Sequence, residues 1–209
     1  MEGFDSEFFN KFVTPNVEIL SREYNIEVCI EISKNSSVKY EYDNSRNALV
    51  CDRVLHTPVK YLFNYGFIPN TLSEDGDPID AVVIMEEELL PGSYIKCKLI
   101  GVLETSDDKG NDPKLILTPS VGVDMCYSKY NTIYDINSSI KERIAYFFSH
   151  YKDLEGKSVK VGQFKSKESA ADILCKSIER VSSHTNKNTN KITNYYKPIT
   201  TPCKLFATK

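Results

Sequence analysis

Glu74-Asp-Gly-Asp-Pro-Ile-Asp-Ala-Val-Val-Ile-Met85 is the stretch around which this 209-residue chain is organised. Asp75, Asp77 and Asp80 fall within six residues. Gly76 permits a turn through φ > 0, and Pro78 fixes the bend that follows. Residues 81–85 are an unbroken apolar run with the length of a buried strand. Three carboxylates are therefore gathered at the mouth of a rigid element. Held that close they repel, and each resists ionising fully unless a cation joins them. Oxygen-only donors suit a hard ion such as Mg²⁺, Mn²⁺ or Ca²⁺. A solvated acidic hairpin is the plainer reading of an Asp-Gly-Asp turn; the flanking sequence argues against it. An EF-hand loop fails as well, because Ile79 stands where loop position 5 needs an oxygen and Asp80 where position 6 needs glycine.

Downstream, Pro91-Gly92 makes a turn and residues 93–104 read as a long strand, with Lys96, Lys98 and Ile100 alternating with Ile95, Cys97 and Leu99. A second acidic loop, Asp107-Asp-Lys-Gly-Asn-Asp-Pro-Lys114, leads into an apolar strand at 115–118. Two Asp-rich turns, each beside an apolar strand, could face one another across a pocket and together offer Asp75, Asp77, Asp80, Asp107, Asp108 and Asp112. That is more negative charge than one divalent ion needs, and it implies several metals. Upstream, residues 61–69 are rich in aromatics. Residues 38–42 and 48–55 form the arms of a hairpin that carries Lys39 and Arg53. Residues 25–32 alternate, with Ile26, Val28, Ile30 and Ile32 on one face and Glu27, Cys29 and Glu31 on the other, as in a half-buried strand. Phe8, Phe9 and Phe12 have helical spacing within 4–12.

Toward the C-terminus, 119–137 shows no period. Ser139 and Glu142 are spaced as a capping box opening a helix with Ile140, Ile144, Phe147, Phe148 and Tyr151 on one side. A short strand is expected at 159–164, and a last helix at 166–181 with Ala171, Leu174, Ile178 and Val181 inward. Strands first and helices last indicate an α+β or small-barrel domain. From His184 onward Thr, Asn and Lys dominate and no acid appears, so 1–183 reads as the domain and 184–209 as a mostly disordered tail.

Bulk properties exclude several classes. The net charge of −3 offers no basic surplus for nucleic acid. No apolar run reaches the ~20 residues of a membrane span. The acidic start, Met-Glu-Gly-Phe-Asp-Ser-Glu, lacks the basic region of a signal peptide. Cysteines at 29, 51, 97, 126, 175 and 203 include no C-x-x-C pair, which argues for reduced thiols in the cytoplasm.

Lys39, Arg53, Lys114 and Lys152 lie on or beside the acidic elements. Metals together with Lys, Arg and Tyr hydroxyls make a site for a polyanionic phosphate. No Gly-x-x-x-x-Gly-Lys or Gly-x-Gly-x-x-Gly loop is present, and His56, His150 and His184 have no triad partners. The rival readings are a non-catalytic barrel gripping nucleic acid, disfavoured by the acidic core, and a metal-dependent nucleoside triphosphate hydrolase.

Glu74–Asp80 resembles the signature of the soluble family I inorganic pyrophosphatases. Lys39-Tyr-Glu41, Asp52-Arg53, Asn64-Tyr-Gly66, the 107–114 loop and His150-Tyr-Lys-Asp-Leu-Glu155 resemble the family's pattern in its order, over roughly residues 25–182. The resemblance implies a mainly-β, α+β fold, a twisted five-stranded OB-type barrel with helices packed outside. It implies hydrolysis of pyrophosphate to two phosphates by a metal-activated water, in support of biosynthetic reactions that release pyrophosphate. The implied cofactor is Mg²⁺, several ions per site, with Mn²⁺ or Zn²⁺ as substitutes. By position Asp75, Asp80, Asp107 and Asp112 resemble metal ligands, and Glu31 an outer ligand acting through water. Asp77 resembles the carboxylate that accepts a proton from the nucleophile. Lys39, Arg53, Tyr65, Lys114, Tyr151 and Lys152 resemble the phosphate-binding groups. The implied partners are pyrophosphate and phosphate, with no nucleic acid or membrane, in a homo-oligomer: a hexamer, or else a dimer or trimer. Ser33, Asp108 and Phe67 depart from the common Pro, Glu and Tyr; none removes a ligand.

Overall fold

The computed structural model describes residues 26–43 and 45–187. The helix expected at 4–12, Cys203 and residues 188–209 lie outside them. The strands are β1 (Ile26–Ile32), β2 (Val38–Asp43), β3 (Ala48–Val54), β4 (Asn64–Phe67), β5 (Asp80–Val83), β6 (Tyr94–Asp107), β7 (Gly110–Asn111), β8 (Lys114–Pro119) and β9 (Lys160–Lys165). The helices are α1 (Ser138–His150) and α2 (Lys167–Lys187).

Five strands close on themselves. β1 pairs with β4, β4 with β5, β5 with β8, β8 with β6, and β6 returns to β1. The β5–β8 pair is parallel and the other four are antiparallel. The 14 residues of β6 let one edge serve two neighbours, β1 at its start and β9 toward its end. This closed ring, with both helices off it, corresponds to the OB-type architecture that the resemblance implies. The β2–β3 hairpin forms a separate two-stranded sheet.

Both faces of the ring strands are packed. Ala81, Val83, Leu115 and Leu117 join one apolar cluster with Ala170 and Ala171 of α2. Their neighbours Val82, Ile84 and Ile116 join the other, with Tyr61, Phe63, Tyr65 and the α1 residues Ile144, Phe147 and Phe148. Burial on both sides is why residues 81–85 carry no polar alternation.

Several local expectations are corrected. β1 keeps the expected alternation at Glu27, which is exposed, and at Glu31, which is partly so, but Cys29 is as buried as Val28 and Ile30, because its register partners Phe67 on β4 and Tyr94 on β6 flank it. A register shift between Leu99 and Gly101 breaks the alternation in β6, so Leu99, Ile100 and Gly101 are all buried. α1 begins at Ser138, and Asn137 caps it by accepting from the Ser139 N–H at 2.9 Å. The Ser139–Glu142 box is therefore not the cap; a capping box sits instead at Thr132–Asp135. In α2, Ile178 is 47% exposed while Ser177 is fully buried. The Ser177 hydroxyl donates to Leu174 O at 2.7 Å, so a small satisfied polar group replaces the apolar one that periodicity selects. α2 also continues four residues past Ser183.

Candidate active site

The parallel register Ala81↔Leu115 sets the starts of β5 and β8 side by side, and so places Asp80 next to Lys114. The Lys114 ammonium pairs with Asp80 and, at 2.5 Å, with Asp112. Lys114 is buried and sits 6.0 Å from the centre of the Phe148 ring. Asp112 is fixed by its backbone: its N–H donates to Thr105 O at 2.9 Å, and its carbonyl accepts from the Thr105 hydroxyl. Asp107 closes β6, accepts from the Lys109 N–H at 2.9 Å and pairs with Lys152 at 3.2 Å. Lys152 lies 5.3 Å from the centre of the Tyr151 ring, which stacks on Phe147.

Asp75 and Asp77 occupy the turn before β5. Gly76 has φ 94, as the turn requires. The Asp77 N–H donates to Asp75 Oδ1 at 3.2 Å, and the Asp77 carbonyl accepts from Ser73 at 2.7 Å. On the separate hairpin the register Lys39↔Arg53 puts the two cations side by side. Arg53 donates to Glu155 at 2.7 Å and to Asp52, while Lys39 pairs with Glu41 and, at 3.5 Å, with Asp52. Glu31 accepts from the Tyr42 N–H at 2.8 Å, which ties β1 to this hairpin. Tyr65 is buried among Tyr61, Phe63 and Phe148.

Asp80 lies at the electrostatic centre: its charge acts on Glu31, Tyr65, Asp77, Asp112 and Lys114. Burial, with the charges of Asp80 and Glu41, pushes Glu31 up to about 7, against its bond from Tyr42 and the pull of Lys39. Burial and Asp80 also push Asp112 up, against Lys114. Burial and Asp75 raise Asp77. Asp107 moves the other way: burial would raise it, but the Lys109 N–H and the Lys152 ammonium outweigh that and hold it low. Lys114 and Lys152 are both raised; burial opposes protonation, and their anionic neighbours prevail.

This donor set fits a hard divalent ion. It is made of oxygens, Asp80 and Asp112 already converge on one cationic centre, and three carboxyls are raised, first by burial and then by neighbouring carboxylates, so that added positive charge would favour their ionised form. Among the described residues no three Asp, Glu, His or Cys side chains form a closed metal cage. Asp75, Asp80, Asp107, Asp112 and Glu31 stand on neighbouring elements, with the Lys114 and Lys152 ammoniums between several of them. Direct contacts form two groups, Asp80–Lys114–Asp112 and Asp107–Lys152–Tyr151, and charge couples them, Lys114 acting on Asp107 and Tyr151 on Lys114. Arg53 and Lys39 form a further group, in which Asp52 joins the two cations, Glu155 holds Arg53 and Glu41 holds Lys39, with no ion pair to the aspartates of the two acidic turns among the described residues.

Acidic turns flanked by lysines on a closed five-stranded ring have the chemistry that a metal-dependent hydrolase of phosphoric anhydrides requires. A sequence model of the family described as inorganic pyrophosphatase matches residues 28–182. The inorganic pyrophosphatase of Nanoarchaeum equitans is 51% identical over 146 residues, which cover 69% of this chain and 90% of the relative. That of Rickettsia conorii is 42% identical over 168 residues, covering 79% and 97%. The solved inorganic pyrophosphatase of Helicobacter pylori superposes with a TM-score of 0.75 at 44% identity, over 76% of this chain and 94% of that one. The chain belongs to the inorganic pyrophosphatase family. The family's function is hydrolysis of pyrophosphate to phosphate, and membership implies a divalent metal cofactor.

Sequence reading assigned no role to Asp52 or Glu155. Glu155 is the buried anchor of Arg53, and Asp52 joins Arg53 to Lys39. Both lie inside motifs quoted above, and an acid flanking a cation expected to bind phosphate was the available signal. At the departures, the Ser33 hydroxyl donates to Leu89 O at 2.6 Å, and Phe67 packs 6.2 Å from the Tyr42 ring.

Proposed function

We propose that this chain hydrolyses inorganic pyrophosphate with Mg²⁺ as its preferred ion, Mn²⁺ or Zn²⁺ substituting, and several ions bound per site. The single observation that carries the reading is the convergence of Asp80 and Asp112 on Lys114, flanked by the Asp107–Lys152 pair. Asp75, Asp80, Asp107 and Asp112 would hold the ions directly and Glu31 through water. Divalent ions, when bound, acidify a water and neutralise the charge of the substrate. Asp77 takes the proton of the attacking water; its raised carboxyl brings its basicity nearer to working pH. Lys39, Arg53, Lys114 and Lys152 bind the phosphate oxygens, with the Tyr65 and Tyr151 hydroxyls completing the set. Lys39, Arg53 and Tyr151 meet the charge that develops on the leaving phosphate. The Glu155 and Asp52 bonds hold the Arg53 guanidinium in one orientation beforehand.

Phosphate release from pyrophosphate and from ATP, each with Mg²⁺ or with excess chelator, tests this. Release from pyrophosphate alone, abolished by chelator and inhibited by Ca²⁺, is expected; full activity in chelator would overturn the metal reading, and preference for ATP the substrate. We further place the enzyme in the cytoplasm. Among the described residues no helix is long and apolar enough to cross a membrane, and the five described cysteines are free. Fractionation that finds it in a compartment with disulfide chemistry would refute this. A homo-oligomer, a hexamer in preference to a dimer or trimer, is supported by the exposed Val121, Val123 and Met125; sedimentation as a monomer would overturn it.

A further inference from the structure

The turn that carries Asp75 and Asp77 is held in place from outside the sheet. Its local bonds stay close in sequence: Thr71 Oγ1 donates to Ile68 O at 2.6 Å and accepts from Ile79 at 2.9 Å, and Gly76 donates to Ser73 O at 3.3 Å. The long-range contacts come from α2. The Leu72 N–H donates to Ser177 O at 3.0 Å. Arg180 donates to Leu72 O at 3.2 Å through Nη1 and to Glu74 Oε1 at 3.1 Å through Nη2. Both backbone polar groups of Leu72 are thus engaged by one helix. The second oxygen of Glu74 accepts from Asn111 Nδ2 at 3.5 Å, and Asn111 precedes Asp112. Beside these bonds lies a cavity of about 500 Å³ bounded by Ser73, Glu74, Thr105, Asn111, Lys176 and Arg180. The turn is not packed solidly on α2 there, so directional polar contacts set its position.

We propose that Arg180 and Glu74 form a clasp that fixes the first acidic turn against the second, and so positions Asp75 and Asp77 relative to Asp107 and Asp112 for divalent-ion binding. The inference deepens the pyrophosphatase reading and rests on it. Arg180 is a positioning residue that acts through Glu74 and Leu72. Its ion pair is partly exposed, with side-chain accessibilities of 32% and 56%, so it adds little to global stability. Its effect is local.

The test compares full-length wild type, Arg180→Ala, Arg180→Lys and Glu74→Gln by two measurements that do not require turnover. Hydrogen exchange of the metal-free protein should show faster exchange in residues 71–77 of Arg180→Ala, with the ring strands unchanged and Arg180→Lys intermediate. Titration calorimetry with Mg²⁺ alone should show affinity lower by roughly 10-fold in Arg180→Ala, the low end of the usual cost of losing an outer-shell partner of a metal site. Glu74→Gln should move the same way, and no further than Arg180→Ala, which loses the Leu72 bond as well. A folded Arg180→Ala with wild-type exchange at 71–77 and wild-type Mg²⁺ affinity would overturn the proposal. So would a uniform rise in exchange with a lowered Tm and unchanged affinity, which marks a merely structural arginine. If wild type fails to hydrolyse pyrophosphate, the functional reading falls, while exchange and Mg²⁺ affinity still decide the clasp.

Discussion

Asp77 stands in the turn before β5, partly open to solvent, and its partial burial together with Asp75 raises its carboxyl above the ordinary range. Asp77→Asn keeps the size and one acceptor oxygen but removes the basic charge. Turnover should fall by ~10²–10⁴, the usual worth of a positioned base, while Mg²⁺ affinity falls only modestly. Activity should recover as pH rises, because solvent then takes the proton. An unchanged rate at neutral pH, or loss of Mg²⁺ binding, would remove Asp77 from this role. Glu31 makes a separate prediction for the metal-free protein. Its carboxyl, ordinarily at 4.5, is pushed up to about 7, so between those values the folded state holds a proton that the unfolded state has lost. Its contribution is fully present below about 4.5 and is lost as pH rises through about 7. Thermal melts in chelator should therefore show Tm falling over that window, and Glu31→Gln should flatten the fall. Parallel slopes in the two proteins would mean that Glu31 is not the group responsible.

Among the elements, β4 depends on one missing side chain. Gly66 pairs with Ile30 on β1 and Ala81 on β5. A Cβ there would stand 1.8 Å from Cys29 O and 2.9 Å from Ile30 Cα. Those atoms are backbone and cannot step aside, so Gly66→Ala must push β1 and β4 apart. A cost of about 3 kcal/mol or more is expected, at about 2–4 °C of Tm per kcal/mol for a domain of this size. A Tm unchanged within 2 °C, roughly the effect of 1 kcal/mol, would show that the strands separate freely. The elements were legible where periodicity and turn chemistry agree, as in the β2–β3 hairpin and in the apolar face of α1. They were misread where a partner strand or a satisfied polar group overrides the pattern. Cys29 is buried because β4 and β6 flank it, and Ser177 because its hydroxyl bonds within its own helix.

At the scale of the whole molecule, the family match ends at residue 182 and the described chain at Lys187. A chain ending after Lys187 should keep both its fold and its turnover, since the residues that match the family end before that point. Loss of solubility or of activity in that variant would show that the segment packs on the core or on a neighbour. The sequence by itself determined the donors. Aspartates packed into two short turns leave few chemistries besides a hard cation, and Lys39, Arg53, Lys114 and Lys152 leave few substrates besides a phosphate. The aspartate clusters are local, because they follow from which groups are covalently close; the cations, spread from 39 to 152, were joined to them by the order of the motifs. Tertiary structure alone decided which donor meets which cation. Asp80 reaches Lys114 only because β5 and β8 run parallel in a closed ring. Glu155 reaches Arg53, and Arg180 reaches Glu74, across about a hundred residues of intervening chain. Side-chain types are written position by position, but contacts so distant in sequence exist only once the chain has closed the loop between them.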